Sequence, residues 1–330
     1  MRTDRTAERK VKRAVLEYGD NGVLFALVNS DRYSAYVVQV LEGHSSRPIV
    51  DSFPLFVAFV RAPYFRSCPL FDSSSKPIMT FASLSGQRVL VTGSSDGIGR
   101  AIAVECAKAG ADLIVNCRQS IGKAESVAEE IRKLGRAADV ISADVSRESD
   151  RQHLLLESFR TGRVDAIVNN AGADLLTTEL RGAEFSVKLN QLIQTDLLGT
   201  IELSRAFGQR FREQQHGAIL NIGWDQSDRG MEGDSGELFA TAKNAIMGFS
   251  RSLAVSLAPL VRVNCIAPGW IRTAWGATAS EYWQDRVISE TPLRRWGEPQ
   301  DIANMARYLL SKEASYITGQ VINVNGGAVR

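Results

Sequence analysis

Cysteine is scarce in this chain and never clustered. The four cysteines, Cys68, Cys106, Cys117 and Cys265, form no C-x-x-C pair, and the three histidines stand far apart. Neither a disulfide framework nor a metal site is indicated. Charge of one sign is missing too: a formal +2 over 330 residues, evenly spread, predicts no nucleic-acid or membrane surface. The longest apolar run near the front, FPLFVAFV, is too short to cross a bilayer and is closed by Arg61. The N-terminal stretch lacks a signal peptide's unbroken apolar core, so the expected compartment is the cytoplasm. What remains is a globular composition, 44% apolar and 23% charged, with length enough for one large domain or two ordinary ones.

The composition changes along the chain. Residues 1–78 hold three of the 27 glycines but five of the nine prolines, and the regular alternation of strands and helices begins only after Met79. That shift predicts a boundary, with residues 1–78 as an extension and 79–330 as a complete domain. Within the extension the pattern predicts a basic helix over Thr6–Tyr18 and a β-like patch at YSAYVVQVL, followed by a proline-punctuated apolar stretch. Two readings of it stand: a small accessory segment, or the product of an upstream start codon.

From Gln87 the pattern sharpens. QRVLVTG is a short β-rich run, and SSDGIGRAIAVECAKAG reads as a helix closed by Gly110. The turn between them, TGSSDGIG, spaces Gly93, Gly97 and Gly99 so that backbone approaches a pyrophosphate, whose charge the first N–H groups of the helix would meet. A second unit follows at once: strand DLIVN, a helix over Ile121–Leu134, and strand ADVISADV. Four more strands are expected at VDAIVNNAG, GAILNIG, VRVNCIAPGWIRT and QVINVNGG. The fold class predicted is α/β, a doubly wound parallel sheet of about seven strands with helices on both faces and a ligand crevice at the strand ends.

TGSSDGIG, NNAG and APGWIRT together resemble the short-chain dehydrogenase/reductase family, in particular its members similar to 3-oxoacyl-ACP reductases, over essentially all of 79–330. The resemblance implies a nicotinamide dinucleotide. Gly93, Ser94, Ser95, Gly97, Ile98 and Gly99 would line the pyrophosphate turn, and Asp144 and Val145 would sit at the adenine. Asn170, Ala171 and Gly172 would flank the adenine ribose, and Gly269, Ile271 and Thr273 the carboxamide. The second strand ends LIVNCRQS, without the acidic residue that would bond a free ribose 2′-hydroxyl. Arg118 offers a cation to a 2′-phosphate instead, which favours NADP(H) over NAD(H).

The same resemblance exposes a departure. The family protonates its substrate with a tyrosine, holds it with a serine, lowers the tyrosine pKa with a lysine four residues on, and supports a relay water with an asparagine. Here GELFATAK keeps Lys243 but has Phe239 for the tyrosine, GAILNIGW has Trp224 for the serine, and IQTDLLGT has Asp196 for the asparagine. Loss of a positioned general acid typically costs about 10² to 10⁴ in rate. The loop after Trp224 offers Asp225 as the leading replacement acid, with Ser227 as a hydroxyl that a slipped loop would return to the serine's place. Three functions therefore stand: an oxidoreductase with a relocated acid or a substrate needing none, a catalytically silent NADP-binding protein, and an interaction protein that inherited the fold. The intact cofactor positions weigh against the third.

All five tryptophans, Trp224, Trp270, Trp275, Trp283 and Trp296, fall in one stretch that would wall a small-molecule substrate or pack on itself. Helices over about 187–213 and 235–258 resemble those through which the family pairs subunits. Ile246, Phe249, Leu253 and Leu257 on the second predict a homodimer or homotetramer.

Overall fold

The computed structural model describes residues 11–17, 23–29, 34–39 and 81–330. The chain divides into two compact units, Met1–Pro77 and Ile78–Arg330. In the first, β1 (Val11–Glu17), β2 (Val23–Asn29) and β3 (Ser34–Gln39) form an antiparallel sheet in that order. The helix expected over Thr6–Tyr18 is thus overturned: its core is β1, which pairs with β2 from Val11↔Asn29 to Glu17↔Val23. VLFALVN, passed over in the sequence, supplies the partner whose ladder bonds outweigh a weak local helix pattern. The patch at YSAYVVQVL contains β3. The stretch from Pro48 to Pro77 lies outside the described residues.

The second unit carries seven strands: β4 (Arg88–Val91), β5 (Asp112–Cys117), β6 (Ala138–Ser142), β7 (Ala166–Asn169), β8 (Gly217–Ile222), β9 (Val261–Pro268) and β10 (Val321–Val324). Every neighbouring pair is parallel, in the order β6-β5-β4-β7-β8-β9-β10. All seven expected strands are present and the doubly wound class is the one observed. Strand alternation explains why both faces are covered. Val89, Val91, Leu113 and Val115 belong to one apolar core, whereas Leu90 and Ile114 belong to the other. Helices α1 (Gly97–Lys108), α2 (Ile121–Lys133) and a late helix, α9 (Pro299–Leu310), cover the first face with Ile102, Ile131 and Leu309. Helices α3 (Glu148–Arg160), α5 (Gly199–Glu213) and α6 (Asp234–Leu257) cover the second with Leu154, Phe207 and Leu253.

Strand order reverses between β4 and β7, so the two chains leaving their C-terminal ends diverge and open a crevice. A short helix, α4 (Phe185–Leu192), enters α5 through one π-helical stretch, Ile193–Leu198, which sets Asp196 toward that crevice. After β9, α7 (Ala274–Thr278) and α8 (Glu281–Glu290) form its outer wall. Among the described residues no helix is long and apolar enough to cross a membrane. Ile246, Leu253 and Leu257, expected to be surplus for assembly, are buried inside the domain. The exposed apolar side chains on these helices are instead Phe185 and Val187 of α4 and Val255 of α6.

Candidate functional site

The turn after β4 is held by backbone geometry and by three polar side chains, of which Thr92 and Asn116 are buried. Gly97 has φ +56°, and a Cβ there would meet only Thr273 Cγ2 at 3.9 Å, so this face of the turn is open to the crevice. Gly99 lies beneath it: a Cβ would fall 2.3 Å from Gly93 O and 2.4 Å from Asn170 Nδ2, which no side chain tolerates. Asn170 Nδ2 donates to Thr92 O (3.0 Å) and Gly93 O (3.1 Å), and the N–H groups of Asn170 and Ala171 both donate to Thr92 Oγ1. Asn116, at the end of β5, donates through Nδ2 to Ile141 O and Ala143 O and accepts from Gly93 N. Sequence reasoning missed Thr92 and Asn116. The available signal was a polar residue closing an apolar strand, which is buried only when bonded.

One open cavity of about 1590 Å³ runs from this turn along the strand ends. Gly93, Ser95, Gly97 and Ile98 line it, with Arg118, Asp144, Val145, Asn170, Ala171, Gly172, Gly269, Ile271 and Thr273. Two residues assigned to the turn do not. Ser94 points inward, donating to Val91 O at 2.7 Å, and Gly99 is covered by Gly93. Arg118 is exposed at the tip of β5 and makes no ion pair among the described residues. Asp144 is occupied within its own loop, accepting from Ser146 N and Oγ. Asp96 caps α1 by accepting from Gly97 N. The hydrogen bond from Lys123, with that cap, holds its carboxyl below the usual range.

At the other end stand Asp196, Trp224, Phe239 and Lys243, all four lining the cavity. Phe239 and Lys243 sit one turn apart on α6, and Trp224 follows β8 by two residues, at the head of the next turn. Trp224 and Phe239 meet edge to face, ring centroids 6.2 Å apart. Asp196 is 1% exposed; its Oδ1 accepts from Ala173 N at 2.7 Å, and its Oδ2 lies 2.9 Å from the Lys243 ammonium, an ionic contact. Lys243 also donates to Ile222 O at 3.2 Å. Asp196 was expected to keep part of a water relay; here its carboxylate grips Lys243 directly.

Neither replacement donor reaches the cavity. Asp225 is fully buried, with Oδ2 accepting from Asn325 Nδ2 at 3.0 Å, and burial pushes its carboxyl up to about 6. Ser227 is buried as well, and neither residue lines the cavity. The reason is local: Asp225–Asp228 form a single 3-10 turn folded under the C-terminal loop rather than over the crevice. The tryptophans divide. Trp224, Trp270, Trp275 and Trp283 line the cavity, while Trp296 is 2% exposed and packs behind them, 6.0 Å from Trp275 and 6.4 Å from Trp270. The stretch thus packs on itself, as one of the two expected readings has it, and four of the five rings also face the cavity.

Residues 93–329 match a family model described as enoyl-(acyl carrier protein) reductase. The chain is 36% identical over 243 residues to the 3-oxoacyl-(acyl-carrier-protein) reductase of Staphylococcus epidermidis, covering 72% of this chain and 97% of that one. It is 37% identical over 248 residues to the enzyme of that name from Aquifex aeolicus, covering 74% and 98%. Among solved structures, a gluconate 5-dehydrogenase from Burkholderia cenocepacia in complex with NADP and tartrate superposes with TM-score 0.68 at 29% identity, covering 75% of this chain and 96% of that one. A 7α-hydroxysteroid dehydrogenase complexed with NADH and 7-oxo glycochenodeoxycholic acid does so with TM-score 0.68 at 30% identity, again covering 75% and 96%.

Proposed function

The chain belongs to the short-chain dehydrogenase/reductase family of oxidoreductases, and from that premise we propose that residues 79–330 form an NADP(H)-dependent oxidoreductase acting on a carbonyl, an alcohol or a related small molecule through an atypical reaction end. One observation carries the reading. A single cavity joins the exposed cation Arg118, the open glycine turn and the Lys243–Asp196 pair, in the order in which a dinucleotide presents adenosine phosphate, pyrophosphate and nicotinamide to a doubly wound sheet.

The turn fits the dinucleotide. Gly97 leaves room for a phosphate against the first N–H groups of α1, and Asn170 and Thr92 hold the backbone to that shape. Arg118 supplies the cation that a 2′-phosphate requires. When bound, the nicotinamide supplies or accepts a hydride. Lys243, fixed by Asp196 and Ile222 O, places positive charge on the ribose side of the reaction end. Trp224 and Phe239 give it an apolar face and hold no acidic O–H. Exposed Phe185, Val187 and Val255 support a homo-oligomer built on α4 and α6.

Titration of the protein with NADPH and NADH tests the cofactor. NADPH is expected to bind more tightly, by about tenfold, and Arg118→Glu to remove that preference. Equal affinities in the unmodified protein overturn the NADP assignment, and firm NADPH binding without turnover on carbonyl, enone or imine substrates identifies a silent binder.

A further inference from the structure

Neither of the two rings that meet at the reaction end, Trp224 and Phe239, is equipped to hand a proton to a substrate. Phe239 has none to give, and the indole N–H of Trp224 is a hydrogen-bond donor only. The ammonium of Lys243 is engaged by Asp196 at 2.9 Å and by Ile222 O at 3.2 Å. Asp225 and Ser227 are buried outside the cavity. A ketone reduced here would become an alkoxide that neither ring can protonate.

The same walls suit a positive charge. Aromatic faces attract cations, and the tryptophan wall already carries one, the Arg286 guanidinium 4.9 Å from the Trp283 ring centroid. The Lys243 charge, which would repel a cation, is countered by a carboxylate that is itself 1% exposed. Beyond Gly172, the exposed charged side chains lining the cavity are Asp174, Glu179, Glu232 and Asp234 against Arg181 alone, with Glu232 paired to Arg286.

We propose that the substrate at this site is a preformed planar iminium cation, which accepts hydride and needs no proton. This rests on the oxidoreductase reading above. A C–H bond forms at the iminium carbon with the two electrons of a hydride, and the C=N π pair becomes the lone pair of a neutral amine. The electrons come from a dihydronicotinamide, which ends as the oxidised pyridinium; no proton enters or leaves. One positive charge occupies the reaction end before and after transfer, so an aromatic, charge-balanced pocket serves both states. A carbonyl substrate offers no such match, because its reduction creates an anion between two rings.

The test uses the full chain. NADPH titration comes first, and failure to bind overturns the oxidoreductase reading itself. With binding secured, the complex with tetrahydro-NADPH, a mimic whose reduced ring is uncharged and gives no hydride, is titrated by calorimetry with N-methyl-3,4-dihydroisoquinolinium and with 1-tetralone, a neutral ketone of the same bicyclic frame. The iminium ion is expected to bind about tenfold more tightly, and NADPH oxidation to be seen with it and not with the ketone. Trp224→Leu and Phe239→Leu, each checked for native circular dichroism, are expected to narrow the binding preference to about threefold or less. Equal binding of the two probes, faster reduction of the ketone, or an undiminished preference in both variants overturns the inference while leaving NADPH binding in place.

Discussion

The two ends of the cavity hold their shape by different means. Around the glycine turn, side chains serve the backbone: Asn170, Thr92 and Asn116 bond carbonyls and N–H groups, and Gly99 leaves no room for a methyl. At the reaction end one ring pair and one ion pair, carried by the turn after β8, α6 and the π-helical stretch before α5, stand beside two bonds to backbone, Ala173 N to Asp196 and Lys243 to Ile222 O. Backbone shape depends on every atom that braces it, so the turn has little freedom to vary. A helix displaying Phe239 rather than a hydroxylated ring remains the same helix. The chemistry of such a site is therefore free to change while its cofactor cradle stays as it was.

Breaking the ion pair is the severest way to test this contrast. Lys243→Met strands the Asp196 carboxylate, 1% exposed, without its counter-ion. Removing one partner of a buried pair costs about 3 kcal/mol. Urea unfolding is expected to show a loss of that order, and adding Asp196→Asn to the same chain to recover most of it. If Lys243→Met alone is neutral, the pair is not what orders this end.

The opposite end is broken by a single methyl. Gly99→Ala puts Cβ 2.3 Å from Gly93 O, so the turn must shift. A loss of about 2 kcal/mol in thermal or urea unfolding is expected from overpacking, together with loss of NADPH binding in a titration. Retained affinity in this variant would show that the turn bends more easily than its contacts suggest.

Asp225 sharpens the contrast with the smallest effect, because it is polar and buried yet serves neither end. Its folded-state pKa, about 6, stands above the ordinary 3.8 because burial disfavours the charge. A carboxyl raised in this way binds its proton more tightly in the folded state, so it destabilises the fold progressively as pH rises through that window, and fully above it. Asp225→Asn is expected to stabilise the protein at neutral pH by about 1–2 kcal/mol, a rise in Tm of roughly 3–6 °C. The gain should vanish below the ordinary aspartate value of 3.8, where both states carry the proton. A variant equally stabilised at both pH values would owe its gain to packing instead of charge.

Much of this was readable before any coordinates. The seven strands follow from short β-rich runs ending in turn residues, and Gly93, Gly97 and Gly99 from spacing alone, because periodicity and glycine freedom are local properties. That Phe239 stands one helical turn before Lys243 was readable for the same reason, since i and i+4 share a helix face; that a hydroxylated ring belongs there is what the family resemblance implies. Among the readings that failed, three show how distant chain decides. β1 was read as a helix because its partner β2 was not recognised. Asp225 was placed in the crevice because nothing in WDQSD reveals that Asn325, one hundred residues later, pulls the carboxylate under the C-terminal loop. Ile246, Leu253 and Leu257 were counted as surplus because the local pattern does not show how much apolar surface the far face of a sheet requires.

The alternation of strand and helix and the glycine turn are written in neighbouring residues, and local sterics and side-chain period suffice to derive them. Which buried polar groups meet is another matter. Asp196 and Lys243 lie far apart in sequence and touch only because the π-helical stretch and α6 converge at the sheet. Ser94 turns inward only because Asn116 waits on the next strand, donating its N–H to Ser94 Oγ at 3.1 Å. Pairings of this kind depend on packing across the whole domain, since a buried charge or hydroxyl takes whatever partner the fold brings within about 3 Å.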